Sequence, residues 1–116
     1  GAFHSPLMEP AVGPLRDHLA SVDFDDAGMR VISNVTAAPV ESPEQARKLL
    51  VEQLTSPVRW SASIARMVAD GADRFLELGP GSVLCGLNKR NARGIPCRSV
   101  GTPHEIEAAI ADLEGS

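Results

Sequence analysis

An α/β fold, with few and mostly parallel strands flanked by helices, is what the pattern of this chain predicts. Two observations carry the prediction. Short apolar or β-branched runs alternate with segments of helical period along the chain. The joints between them hold Ser-Pro and Thr-Pro helix starts and glycine-rich turns. A third observation sets a limit. Only three runs read as strands, and a parallel sheet needs both faces and both neighbours covered. The pattern therefore predicts that part of the structure is missing.

Taken in order, Ser5-Pro6 opens a helix whose apolar residues Leu7, Ala11, Leu15, Leu19 and Val22 recur at steps of three and four. Pro10 and Pro14 interrupt it, and a break or restart is expected near Pro10. Asp23 to Asp26 and Gly28 read as a turn. Met29 to Val35, apolar and partly β-branched, reads as a strand. Ser42-Pro43-Glu44-Gln45 starts a helix with a capping-box partner at Gln45, carrying Ala46, Leu49, Leu50 and Leu54 on one face. A further helix runs from about Trp60 to Asp70, with Trp60, Ile64, Met67 and Val68 inward and Gly71 as its stop. Arg74 to Leu78 is a short strand, and Gly79-Pro80-Gly81 turns the chain into a helix with Val83, Leu84 and Leu87 apolar. Ile95 to Val100 is a weaker strand, started or edged by Pro96. Thr102-Pro103-His104-Glu105 is a second capping box. It opens a last helix with Ile106, Ala109, Ile110 and Leu113 on one face.

Composition excludes several classes. The 116 residues allow one domain, and 43% apolar with 22% charged residues is ordinary for a globular protein. A net charge of −4 argues against a general nucleic-acid binder. No apolar run reaches the roughly 20 residues that span a bilayer, so no membrane partner is expected and a cytoplasmic location is. Two cysteines, Cys85 and Cys97, make neither a disulfide framework nor a four-ligand zinc site. The chain begins Gly-Ala-Phe-His, without Met, which reads as a boundary inside a longer polypeptide.

Few side chains offer chemistry. His18 and His104 read as solvated. His4, at a loop-to-helix junction, is either a base held by a scaffold or a histidine that caps or packs. Gln53 lies four residues after Leu49 and seven after Ala46, on the apolar stripe of its helix. Its amide either lines a site or sits at a frayed helix end. Gly79-Pro80-Gly81-Ser82 is a tight turn, with a phosphate site at the helix start as the weaker alternative. Lys89, Arg90 and Arg93 complement a helix C-terminus or form a docking patch for an acidic partner. Cys85 and Cys97 read as packed thiols. No serine stands in a G-x-S-x-G elbow, and no metal ligand set is seen.

Four stretches point further. They are Gly1-Ala2-Phe3-His4-Ser5-Pro6-Leu7-Met8, Val31-Ile32-Ser33-Asn34-Val35, Leu50-Val51-Glu52-Gln53-Leu54-Thr55-Ser56-Pro57-Val58-Arg59-Trp60, and Glu77 to Arg90 with Gly79-Pro80-Gly81-Ser82 at its centre. In type, order and spacing they resemble the malonyl-CoA:acyl-carrier-protein transacylase family of fatty-acid synthesis. The acyltransferase domains of polyketide synthases are close relatives, but Gln53 to Trp60 and Gly86 to Arg90 look more like the free-standing enzyme.

The resemblance implies that residues 1–116 are the C-terminal portion of the α/β hydrolase-like large subdomain of an acyltransferase. It implies transfer of malonyl from coenzyme A to the phosphopantetheine thiol of acyl carrier protein, through an acyl-serine. His4 would be the catalytic base and acid. The family orients this histidine by main-chain carbonyls, one of them at the position of Gln53, so Gln53 would line the substrate pocket and orient the base. Phe3 falls in the Ala-Phe-His pattern of malonyl-selective members, where methylmalonyl-selective ones carry Ser. A ring there would crowd an α-methyl branch, a discrimination of about 1–3 kcal/mol. No cofactor is implied, because malonyl-CoA is substrate and the phosphopantetheine belongs to the partner. The family's serine elbow, malonyl-binding arginine, oxyanion-hole amides and ferredoxin-like subdomain are absent from this sequence. The expected partner is thus the N-terminal part of the same enzyme, without which the chain is expected to be inactive. Two other readings stand beside this one: a non-catalytic α/β module binding a carrier protein through Lys89, Arg90 and Arg93, and the acyltransferase portion of a polyketide synthase. A receiver-like domain is disfavoured, since no acidic pair stands at a first-strand end.

Overall fold

A computed structural model describes residues 1–115. The chain forms two compact units, the first Gly1–Arg66 and the second beginning at Met67.

The first unit opens with a 3-10 turn, Pro6–Met8, and continues directly into helix α1, Glu9–Ala20. The restart expected near Pro10 is therefore present, and it places Pro10 in the first turn of α1, where a missing N–H costs nothing. Pro14 lies inside α1 without ending it. Helix α2, Pro43–Glu52, packs on α1. Ser42 Oγ accepts the Gln45 N–H at 3.1 Å, the cap its sequence predicts. The return bond goes one residue further back than a capping box requires, from the Glu41 N–H to Gln45 Oε1. Arg47 joins the helices: Nε donates to the Leu19 carbonyl at 3.0 Å, Nη2 to that of Val22 at 2.9 Å, and the guanidinium lies over the Phe24 ring. It thereby ties the last turn of α1 and the residues just after it to α2.

The strand expected over Met29 to Val35 does not form. The chain instead turns back at 34–37, with Ala37 in the left-handed region at φ 53°, and a single antiparallel bridge pairs Ile32 with Pro39. Val40 N–H to the Val31 carbonyl and Ser33 N–H to that of Ala38 close this small loop. A strand is stable only beside a neighbour, and Pro39 has no N–H to extend the ladder. Helix α3, Trp60–Ala69, follows, burying Ser63 and Ile64. Its last turn is closed by Gly71 N–H to the Val68 carbonyl and Ala72 N–H to that of Met67, the glycine stop expected there.

The second unit holds the parallel pair. Strand β1, Phe75–Leu78, is followed by helix α4, Val83–Asn91, then strand β2, Cys97–Val100, and helix α5, Pro103–Glu114. Phe75 pairs with Cys97 and Leu78 with Val100. The strand-to-helix turn after β1 uses Gly79 and Gly81 at φ 126° and 89°, a conformation only glycine adopts without strain. The turn after β2 needs its glycine for another reason, because a Cβ on Gly101 would meet the Gly79 carbonyl oxygen at 2.5 Å. Helix α5 carries the full capping box expected from Thr102 and Glu105. Helix α4 touches both strands and α5 touches β2. Leu76, Leu78, Val100, Ile106, Ile110 and Leu113 line an open apolar groove of about 400 Å³.

The thiols expected to be free and packed are joined: Cys85 and Cys97 form a disulfide. Parallel pairing puts the first residue of β2 beside the first turn of α4, with the two Cα atoms 5.3 Å apart. Among the described residues no helix is long and apolar enough to cross a membrane, and no group of three or more metal-ligating side chains forms.

Candidate functional site

His4 precedes the Pro6–Met8 turn with a backbone φ of 60°. A left-handed conformation costs a residue with a Cβ about 1–2 kcal/mol. It persists where other contacts determine it. Here the contact is the ring: His4 Nδ1 lies 2.9 Å from the main-chain oxygen of Gln53, 49 residues away in sequence. A carbonyl can only accept, so Nδ1 carries the proton in this bond. In the neutral ring that leaves the Nε2 lone pair outward, as a proton acceptor. His4 is exposed, so a reactant can reach it.

The acceptor follows from the end of α2. Gln53 caps its C-terminus, where carbonyls lack intrahelical partners and the helix dipole is negative. Such a carbonyl favours the imidazole ring as donor. The Gln53 side chain, half-buried as the apolar stripe predicts, accepts from Asn34 Nδ2 at 3.0 Å. Asn34 is itself held, since its main-chain oxygen accepts the Arg59 N–H at 3.0 Å. Arg59 Nη1 donates to the Thr36 carbonyl in the same turn. A groove of about 610 Å³ is lined by Met29, Ile32, Asn34, Leu49, Leu50 and Gln53, among others. Neither Phe3 nor His4 lines it. Phe3 is 71% exposed, with its ring against Gly1.

The structure thus brings together His4, Gln53 and Asn34, while Phe3 adjoins His4 only through the chain. Asn34 was not singled out by sequence; a polar residue within an apolar run was its one signal. In the second unit, the amides at the start of α4 are not open to a phosphate. Glu77 fills them: Oε1 accepts the Leu84 N–H at 3.0 Å and Oε2 that of Cys85 at 2.9 Å. Lys89 and Arg90 occupy the last turn of α4 and, with Arg93, are exposed. His18 and His104 are exposed on α1 and α5, as expected. The disulfide removes both cysteines as nucleophiles.

No family model matches the chain. Over 114 residues it is 43% identical to the malonyl CoA-acyl carrier protein transacylase of Bacillus subtilis, covering 98% of this chain and 36% of that protein. The transacylase of the same name from Escherichia coli K12 is 35% identical over 107 residues, again with 35% of its length covered. Among solved structures, acyl-carrier-protein-S-malonyltransferase from Bartonella henselae superposes with a TM-score of 0.89 at 39% identity, over 97% of this chain and 36% of that one. The enzyme MCAT from Streptococcus pneumoniae gives 0.88 at 34% identity, over 97% of this chain and 37% of that one. The chain spans about a third of the length of the curated relatives it matches and shares their α/β architecture over that third.

Proposed function

We propose that this chain, a homologue of malonyl CoA-acyl carrier protein transacylases along about a third of their length, supplies the general base of such an enzyme. The reaction is transfer of malonyl from coenzyme A to the phosphopantetheine thiol of acyl carrier protein, by way of an acyl-serine, in cytoplasmic fatty-acid synthesis. His4 Nε2 takes the proton of the serine hydroxyl as its oxygen attacks the thioester carbonyl. The protonated ring then gives that proton to the departing coenzyme A thiolate. In the second half the same nitrogen takes the proton of the carrier's thiol and returns one to the serine oxygen. The Gln53 carbonyl keeps the other proton on Nδ1 and stabilises the imidazolium, the part a carboxylate plays in a Ser-His-Asp triad. Phe3 restricts the acyl pocket against an α-methyl branch.

The observation that carries this reading is the 2.9 Å contact of His4 Nδ1 with the Gln53 carbonyl. The serine, the malonyl-binding arginine and the oxyanion amides belong, in this reading, to the other two thirds of the polypeptide. What supports such a second piece is the open apolar face of the second unit, where Leu78 is 77% exposed. The chain alone turns nothing over. The test is malonyl transfer by the transacylase comprising this chain and the serine-bearing remainder. His4→Ala lowers kcat by about 100- to 10,000-fold, the usual worth of general acid–base catalysis. Unchanged transfer refutes the assignment.

A second reading, a carrier-protein binding module, rests on the exposed Lys89, Arg90 and Arg93. It predicts that charge reversal there abolishes carrier binding while His4→Ala leaves every measurable activity intact.

A further inference from the structure

We infer that Asn34 is a positioning residue for His4, acting through Gln53. The inference rests on the reading of His4 as the base. Its physical basis is the location of the acceptor. A helix C-terminus is where the backbone frays and where carbonyls tilt toward water. A hydrogen bond weakens steeply as its angle departs from linear, so a free-swinging carbonyl would hold the imidazole poorly. Gln53 is not free-swinging. Its side-chain Oε1 is anchored at 3.0 Å by Asn34 Nδ2, while its main-chain oxygen meets His4. An anchor works only if it is itself fixed, and Asn34 is. Its carbonyl holds the Arg59 N–H, and its turn is closed by Ala37 N–H to the Ser33 carbonyl at 2.9 Å. Arg59 Nη1 on the Thr36 carbonyl secures the same turn a second time.

The chain of contacts therefore runs from the 34–37 turn through two amide side chains to one main-chain oxygen and then to the ring. Asn34 acts on the ring through Gln53 and not on a reacting atom; its work is to hold the direction of the Gln53 carbonyl. That direction decides the tautomer. An imidazole left to water shares its proton between both nitrogens, and any population with the proton on Nε2 cannot act as base at that atom. Loss of the anchor lowers the fraction of enzyme whose ring is in the competent tautomer.

The test uses the transacylase comprising this chain and its serine-bearing remainder. It reads kcat, KM, the pH profile of transfer, and the ring nitrogen shifts of His4 by 15N NMR. Asn34→Ala is expected to lower kcat about tenfold with KM unchanged, and to move the His4 signals from a pure Nδ1–H tautomer toward a mixture. Gln53→Ala removes the same anchor from its other end while keeping the main-chain carbonyl. It is expected to match Asn34→Ala, and the double variant to be no worse than either single one. Asn34→Asp restores both readouts, because the Gln53 amide can turn over and donate to the carboxylate. This variant also keeps the proposal testable if Asn34→Ala does not fold. Two results overturn the inference: an unchanged His4 tautomer in Gln53→Ala, or losses in the two single variants that multiply in the double. The base assignment fails separately, if His4→Ala retains transfer while the tautomer still responds to Asn34→Ala.

Discussion

Replacing Glu77 by alanine is expected to loosen the start of α4. The carboxylate, on β1, accepts the amide N–H groups of Leu84 and Cys85 at 3.0 and 2.9 Å. These are the second and third residues of α4, whose flanking Ser82 makes no side-chain cap of its own. Glu77 therefore does a capping residue's work from outside the helix. A capping side chain contributes about 0.5–2 kcal/mol. A hydrogen bond to a charged group is worth about 1.5–3 kcal/mol net. Glu77 is half-buried and Leu84 is exposed, so water replaces part of what is lost. The expected cost of Glu77→Ala is about 2 kcal/mol. Glu77→Gln keeps one acceptor but points an NH2 at the other amide, and about 1 kcal/mol is lost. Urea unfolding measures the total, and amide hydrogen exchange at Leu84 and Cys85 assigns it to the helix start. Both are best recorded with the disulfide intact and again after reduction, since Cys85 itself is tethered to Cys97. An Ala variant with the wild-type urea midpoint and unaltered exchange at both amides would refute the reasoning.

Two further outcomes concern the same unit. Hydrogen bonds from the Gly101 and Thr102 amides hold the Glu105 carboxyl below the usual glutamate range. Its contribution to α5 is present above the unfolded-chain value and is lost as pH falls through the folded one, so the unfolding midpoints of wild type and Glu105→Gln should converge on acidification. A gap that stays constant from neutral to acid pH contradicts this. Reduction of the Cys85–Cys97 bridge opens a loop with a sequence separation of 12. Loop entropy alone makes that worth about 3 kcal/mol. Cys97→Ser is expected to lower the midpoint of the oxidised protein but not that of the reduced one, and equal effects in both states would show that the bridge does not form.

Most helix ends were legible from the residues. Ser42, Thr102 and Gly71 each act within three or four positions of the helix they start or stop, and each does so in the structure. β1 and β2 were legible too, because short apolar runs flanked by glycine and proline turns have few other uses. The strand expected at Met29 to Val35 was not, since a strand is a property of a pair and, among the described residues, this segment meets only its own return, Ile32 with Pro39. Of the candidate site, His4 and Gln53 were named from the sequence, Gln53 by its place on the apolar stripe. Their contact was expected through family resemblance, and no local pattern places residues 49 apart within 2.9 Å.

Local hydrogen-bonded rings are closed by residues close in the chain, so the Ser42 and Thr102 caps and the Gly71 stop can be read off as it is spelled. The Cys85–Cys97 bridge, the Glu77 cap and the Asn34–Gln53–His4 relay were settled by where the folded path returns on itself. Each closes a longer loop, whose entropy must be offset by packing elsewhere before the contact exists.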